Sequence, residues 1–214
     1  MRRHSVFSIA RLYSSSSKIR VYTRTGDKGN SSLYSGERRS KSDDIFSALG
    51  AADELNAHIG VAVTECRLHD GDVSLDPLID MLTAIQSRLF DIGSVIATPP
   101  ERSSEKRLKR VELSSGMVDA LEGSIDMLDE ECPELTNFIL PGNGTSRAAA
   151  ALQVSRAVCR RLERLLVALR VHESHIDDDP ELCKYINRLS DFLFVAARWT
   201  ALKQNSGDIV YQKD

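Results

Sequence analysis

Three stretches of this 214-residue chain carry side chains whose types and spacing could do chemistry. In the first, Arg156, Arg160 and Glu163 fall at i, i+4 and i+7, flanked by Arg161 and Arg164. On a helix they share one face. Guanidinium forks gathered this way are suited to gripping phosphate oxygens in pairs. The same stripe also describes an exposed face with an Arg160–Glu163 pair worth about 0.2–0.5 kcal/mol. In the second stretch, Asn187, Asp191 and Arg198 share a face, with Ile186, Leu189, Leu193 and Ala196 behind them. It too reads either as a site or as a solvated face. The third is Thr23-Arg24-Thr25-Gly26-Asp27-Lys28-Gly29, where glycines, hydroxyls and cations alternate. Glycine lets backbone amides approach an anion closely, and Lys and Thr can complete the cradle. The Walker spacing is absent, and an ordinary turn has the same composition.

These groups need helices to position them. Asp43-Asp44 open an apolar stripe of Ile45, Ala48, Leu49, Ala52, Leu55, Ile59, Ala62 and Val63 at helical period. After Pro77 a second stripe runs from Leu78 to Ile96 and stops at Pro99-Pro100. Residues 101–110 are charged and read as a mobile loop. A third helix is expected over 115–131. The run Asn137–Gly144 breaks the pattern around an apolar tripeptide expected to be buried. A fourth helix is expected over 146–171, its core face being Val158, Leu162, Leu165 and Leu169. Pro180 suits the first turn of a fifth, which ends near Lys203. The pattern is all-α: about five helices in a bundle, without internal repeat or second domain.

Composition narrows the function. The formal net charge is -3, without the basic excess of a nucleic-acid binder. No apolar run approaches the length of a membrane span. Cys66, Cys132, Cys159 and Cys183 are too scattered for a zinc site or a disulfide framework. His172 and His175 lack a third ligand and read as a surface feature. Residues 1–18 hold Arg2, Arg3 and Arg11, several serines and no acid, with Val6, Phe7, Ile9 and Leu12 able to share a helical face. That is the composition of a mitochondrial transit peptide, and a cut after Tyr13 would shift the net charge from -3 to -6 by removing three arginines.

Three segments taken together resemble the PduO-type ATP:cob(I)alamin adenosyltransferases, most closely the mitochondrial branch. They are YTRTGDKGNSSLYSGERRSKSD (Tyr22–Asp43), FILPGNG (Phe138–Gly144) with SRAVCRRLER (Ser155–Arg164), and NRLSDFLFVAAR (Asn187–Arg198). The likeness extends over roughly Ile19 to Lys203 in the family's order and spacing. It implies a five-helix, ferritin-like bundle (43–204) preceded by a nucleotide-binding loop (19–42) and followed by a polar tail (205–214). It also implies a homotrimer in the mitochondrial matrix with active sites between subunits. The substrates it implies are ATP with Mg²⁺ and cob(I)alamin; the metal's ligands are not specified. Matched position by position, ATP contacts fall on Thr23, Arg24, Thr25, Gly26, Ser32, Lys41, Arg160, Arg161, Glu163, Arg164 and Asn187. Asp53 and Arg156 match an inter-subunit ion pair, and Asp191 and Phe138 match residues near the corrin. Phe138 and Phe192 are the apolar candidates for keeping water from cobalt. Two departures are Asn143, which separates Gly142 from Gly144, and Asn30, where mitochondrial relatives carry an aromatic. A cobalamin reductase and a cobalamin-dependent mutase are the implied partners. The rival readings are a non-catalytic cobalamin or ATP carrier and a helical scaffold.

Overall fold

In the computed structural model, residues 22–69, 71, 73–142, 144–177 and 180–213 are described. The proposed transit peptide, residues 1–18, and Asn143 lie outside them. Five helices follow the apolar stripes: α1 (Asp44–Arg67), α2 (Asp76–Ile96), α4 (Met117–Asp129), α5 (Arg147–Leu169) and α7 (Pro180–Lys203). Two short ones are added, α3 (Glu105–Val111) and α6 (Ser174–Asp177). Ahead of α1, β1 (Asn30–Ser32) pairs antiparallel with β2 (Arg38–Ser40), Ser31 opposite Arg39.

Each long helix begins where the chain supplies a start signal. The Asp43 carboxylate accepts from the Ile45 amide at 3.0 Å, and Pro77 sits in the first turn of α2. The Ser146 hydroxyl accepts from the Ala149 amide at 2.9 Å. A cap of this kind satisfies an otherwise orphaned helix amide. Ser146→Ala is therefore expected to cost about 1 kcal/mol, read as a lower denaturant midpoint at unchanged m-value.

Cross-links between side chains give the helix directions. Arg147 reaches Glu65 and Arg161 reaches Glu54, so α5 runs antiparallel to α1. Arg156 lies beside the Phe194 ring and Asn187 donates to Glu163, so α7 is antiparallel to α5. Arg188 meets Glu122 and Trp199 meets Glu131, so α4 runs parallel to α7. The core between them holds Ile45, Leu55, Leu82, Ile92, Leu152, Leu162, Leu189 and Phe192. Asn56 and Gln86 are the polar pair within the α1–α2 seam, each side-chain amide donating to the other helix at 2.9–3.0 Å. Burial pushes the Cys66 thiol up to about 11 and raises Cys159 further, so both stay protonated at neutral pH.

Several expectations are corrected. Residues 101–110 do not form a loop: they hold a 3₁₀ turn over Pro100–Arg102 and then α3. Leu108 and Val111, at i, i+3, line a cleft with Val95 of α2, and Arg107 donates to the Ser35 carbonyl; these ties hold a charged segment in place. The 138–140 tripeptide is not buried, because Phe138 is 85% exposed. His175 is not a surface feature. Its ring is enclosed, with Nε2 3.3 Å from the Ile96 carbonyl and Nδ1 3.6 Å from Glu173. Arg198 is 5% exposed, because chain from outside α7 covers it.

Candidate active site

α5 lies between α1 and α7, and its outward face carries the arginine stripe. At 23 residues the helix is about 34 Å long. The β1–β2 hairpin is fixed at the end where α5 finishes: Arg39 binds Glu173, Glu37 and Asp43. The Phe138–Gly142 segment lies at the end where α5 begins. The two outermost groups of candidate residues are thus separated by the length of one helix, with Arg156–Arg164 between them.

In the amino-terminal loop the Thr23 and Thr25 hydroxyls are 2.9 Å apart. Arg38 donates to the Thr25 carbonyl at 2.8 Å and reaches the Ser32 hydroxyl at 3.5 Å. The Lys41 amide donates to the Gly29 carbonyl at 2.8 Å. A Cβ on Gly26 would stand 3.2 Å from the Lys41 ammonium, so glycine there leaves room for the lysine to fold over the loop. Arg24 has φ +59°, an uncommon conformation for a residue with a side chain. The loop therefore brings Thr23, Thr25, Gly26, Ser32 and Lys41 into one exposed polar patch, with Arg24 beside it. Such local strain is a feature of sites that must accept a ligand.

On α5, Arg160 and Arg164 are exposed, and Arg164 turns back to donate to the Arg160 carbonyl at 2.9 Å. Arg161 is held by Glu54 of α1, both side chains about 45% exposed. A pair that open to water is worth at most about 1 kcal/mol, so an incoming polyanion can displace it cheaply. Glu163 does not pair with Arg160; it accepts from Asn187 at 2.7 Å, joining the α5 and α7 candidates. Arg156 donates to Gln153 at 2.8 Å and lies 5.9 Å from the Phe194 ring centre. Burial first, and then repulsion from Arg160, lowers its pKa below the ordinary arginine value. The stripe therefore holds concentrated positive charge, which an anion would relieve.

A groove of about 510 Å³ runs along this face from Pro141 and Gly142 past Gln153, Val154 and Arg156 to Arg161 and Arg164. Gly142, at φ +72°, sits against Ala150: a Cβ added there would stand 3.4 Å from the Ala150 Cα, and both residues line the groove. Asp191 is exposed and paired with Arg188 at 3.0 Å. Asp53 is not brought to Arg156 within the protomer. It lines a separate cleft between α1 and α2 with Tyr34 and Phe90. Phe192 is also not at the groove; it is 0% exposed, in the core. Among the described residues, no three His, Cys, Asp or Glu side chains are grouped to hold a metal ion.

Sequence reasoning missed the supporting residues: Arg38 under the amino-terminal loop, Gln153 beside Arg156, and Glu54 on Arg161. Gln153 had a usable signal, since it stands three residues before Arg156 on the same helical face. Glu54 had none, because its partner is on another helix.

The cobalamin adenosyltransferase family model matches residues 21–200. Corrinoid adenosyltransferase MMAB of Bos taurus is 43% identical over 195 residues, which span 91% of this chain and 77% of that protein. The corrinoid adenosyltransferase of Bacillus subtilis is 37% identical over 199 residues, 91% and 93% of the two chains. In structure, a phenylalanine-to-alanine variant of the PduO-type ATP:corrinoid adenosyltransferase from Lactobacillus reuteri, complexed with cobalamin and ATP, superposes with a TM-score of 0.78. It is 32% identical and is matched over 91% of this chain and 100% of its own. With stripe, loop and bundle in the same chain, this protein belongs to the cobalamin adenosyltransferase family.

Proposed function

We propose that this chain transfers the 5′-deoxyadenosyl group of ATP to cob(I)alamin. The observation that carries the reading is the groove along α5, cationic at Arg156, Arg161 and Arg164 and bounded at its other end by the turn after Phe138. An electron pair on Co(I) attacks the ribose C5′. The cobalt–carbon bond forms as the C5′–oxygen bond breaks, and that bonding pair leaves with the triphosphate. Co(I) is nucleophilic enough that the protein need supply no general base. Its work is to align C5′ with cobalt and to stabilise the departing charge.

In this reading Thr23, Arg24, Thr25, Gly26, Ser32 and Lys41 hold the nucleotide. Arg160, Arg161 and Arg164 meet the triphosphate, and Asn187 fixes Glu163 among them. Mg²⁺ suits the arrangement as a companion of the triphosphate, because it keeps phosphate and water oxygens and needs few carboxylates. Glu163 is the carboxylate at hand. Phe138 and Asp191 serve the corrin side, with Phe138 excluding water from cobalt.

Asp53 and Arg156 are not paired within the protomer, so the ion pair that the resemblance implies would form between copies, in keeping with a homotrimer with its sites at the seams. Phe90, 70% exposed beside Asp53, supplies apolar surface for such a seam. The acid-free, arginine-bearing start and the mammalian MMAB relatives support a mitochondrial location. There a cobalamin reductase would supply the substrate and a cobalamin-dependent mutase would use the product.

The test mixes purified protein, ATP, Mg²⁺ and chemically reduced cob(I)alamin without oxygen. Loss of the Co(I) absorption with growth of a light-sensitive alkylcobalamin spectrum is the expected result. Binding of both substrates with no spectral change would leave a carrier instead. Phe138→Ala is expected to slow adenosylation about tenfold while ATP affinity stays within twofold, since in this reading the ring serves the corrin side and the nucleotide is held elsewhere. Unchanged turnover in that variant would remove Phe138 from the mechanism.

A further inference from the structure

Arg198 ends the third motif, yet the chemistry above gives it no work. Its guanidinium spends its donors on chain outside α7. Nε donates to Asp208 at 3.0 Å, one terminal nitrogen donates to the Pro133 carbonyl at 2.6 Å, and the other lies 3.6 Å from Asp129. One buried cation thus ties the end of α4, the segment before Phe138 and the carboxy-terminal tail to a single point. Its planar fork spreads five donors over three nitrogens, so it reaches acceptors on separate segments that the single nitrogen of a lysine could not all meet.

The tail then pairs with the Phe138 segment. Leu140 donates to the Ile209 carbonyl at 2.8 Å and Tyr211 to the Phe138 carbonyl at 2.7 Å, with Ile139 opposite Val210. Ser206 accepts from the Thr145 and Ser146 amides at 2.8 and 3.1 Å, fastening the other side of the same loop to the start of α5. The Phe138 ring is 85% exposed, so its own packing does little to hold it. Its backbone is held by the tail, and the tail is held by Arg198 and Ser206.

We propose that Arg198, acting through Asp208, is a positioning residue that holds the tail as strand partner of Phe138–Leu140 and so fixes the Phe138 ring just ahead of the Pro141–Gly142 turn that bounds the groove. The polar tail is then part of the working structure and not a loose end. The inference rests on the corrin-side role given to Phe138 above. Arg198 itself touches no reacting atom.

Asp208 is the residue to change, because it lies in the tail outside the helices, and Asp129 stays beside the buried Arg198 when it is removed. Full-length Asp208→Ala and Asp208→Glu are compared with the parent by amide hydrogen exchange and by steady-state kinetics. In Asp208→Ala, exchange at the Leu140 and Tyr211 amides is expected to rise at least tenfold while amides inside α5 and α7 keep their protection. Its kcat is expected to fall about tenfold with the KM for ATP within twofold, since misplacement by about 1 Å can cost up to 10²-fold. Asp208→Glu, which keeps the charge, should recover part of both. Unchanged exchange in Asp208→Ala would overturn the clamp, and faster exchange with parental turnover would overturn its link to catalysis. If the parent protein transfers no adenosyl group, the proposed function fails, while the exchange data still judge the clamp.

Discussion

Arg160→Ala is expected to lower kcat by about 10²–10³-fold while leaving fold and assembly intact. Triphosphate leaves carrying several negative charges, and losing one preorganised donor at such a centre typically costs that much. The side chain is exposed and holds no partner helix, so its removal lies in the class of surface changes worth within about 0.5 kcal/mol of stability. The neighbouring charges sharpen the expectation. Arg156 already has its pKa lowered by burial and by Arg160, so the resting stripe repels itself. Removing Arg160 relieves that repulsion and weakens the pull on the polyanion, which makes a loss of turnover without a loss of stability the distinctive signature. Arg160→Lys should restore only part of the rate, because a point charge cannot reproduce a two-oxygen grip. The measurement is single-turnover adenosylation at saturating ATP and cob(I)alamin, alongside sedimentation to record the assembly. Parental turnover in an intact assembly would sink the role assigned to Arg160.

Which features were readable from the residues follows from the range of the forces involved. Helices α1, α2, α5 and α7 were legible because their apolar residues recur at helical period over twenty or more positions. The arginine stripe was legible for the same reason, since spacing alone puts Arg156, Arg160 and Arg164 on one face. Helix α3 was not, because Leu108 and Val111 are the apolar pair that anchors it amid charges. Arg198 does lie in the angular sector that the wheel assigned it with Asn187 and Asp191. Its burial comes from Asp208 and Pro133, and no wheel of α7 contains them. Phe138 misled in the opposite direction: an apolar tripeptide reads as core, yet the backbone bonds to the tail turn its ring outward. The groove depends on how the Gly142 turn meets Ala150, a contact between elements that local pattern does not encode.

Phe192 and Phe138 offer a matched contrast, because both were candidates for keeping water from cobalt and the structure separates them. Phe192 follows Asp191 in sequence, but one residue on a helix is a rotation of about 100°, enough to carry a side chain from the solvent to the core. Its ring is fully buried and, with Tyr185, Met117 and Leu121, lines the cleft where α4 comes near α2. Phe192→Ala is therefore expected to cost about 3–5 kcal/mol of stability, the transfer of the ring plus the cavity it leaves. Phe192→Leu should cost much less, because it fills most of that space. Urea unfolding with two probes would measure both changes. Kinetics at low temperature, where the variant remains folded, should show kcat and both KM values close to the parent. Phe138→Ala should do the reverse, losing rate while keeping stability, because its ring packs against little. A folded Phe192→Ala protein with a large kcat deficit and undiminished stability would mean that this ring reaches the corrin after all, and α7 would then have to turn when the substrate binds.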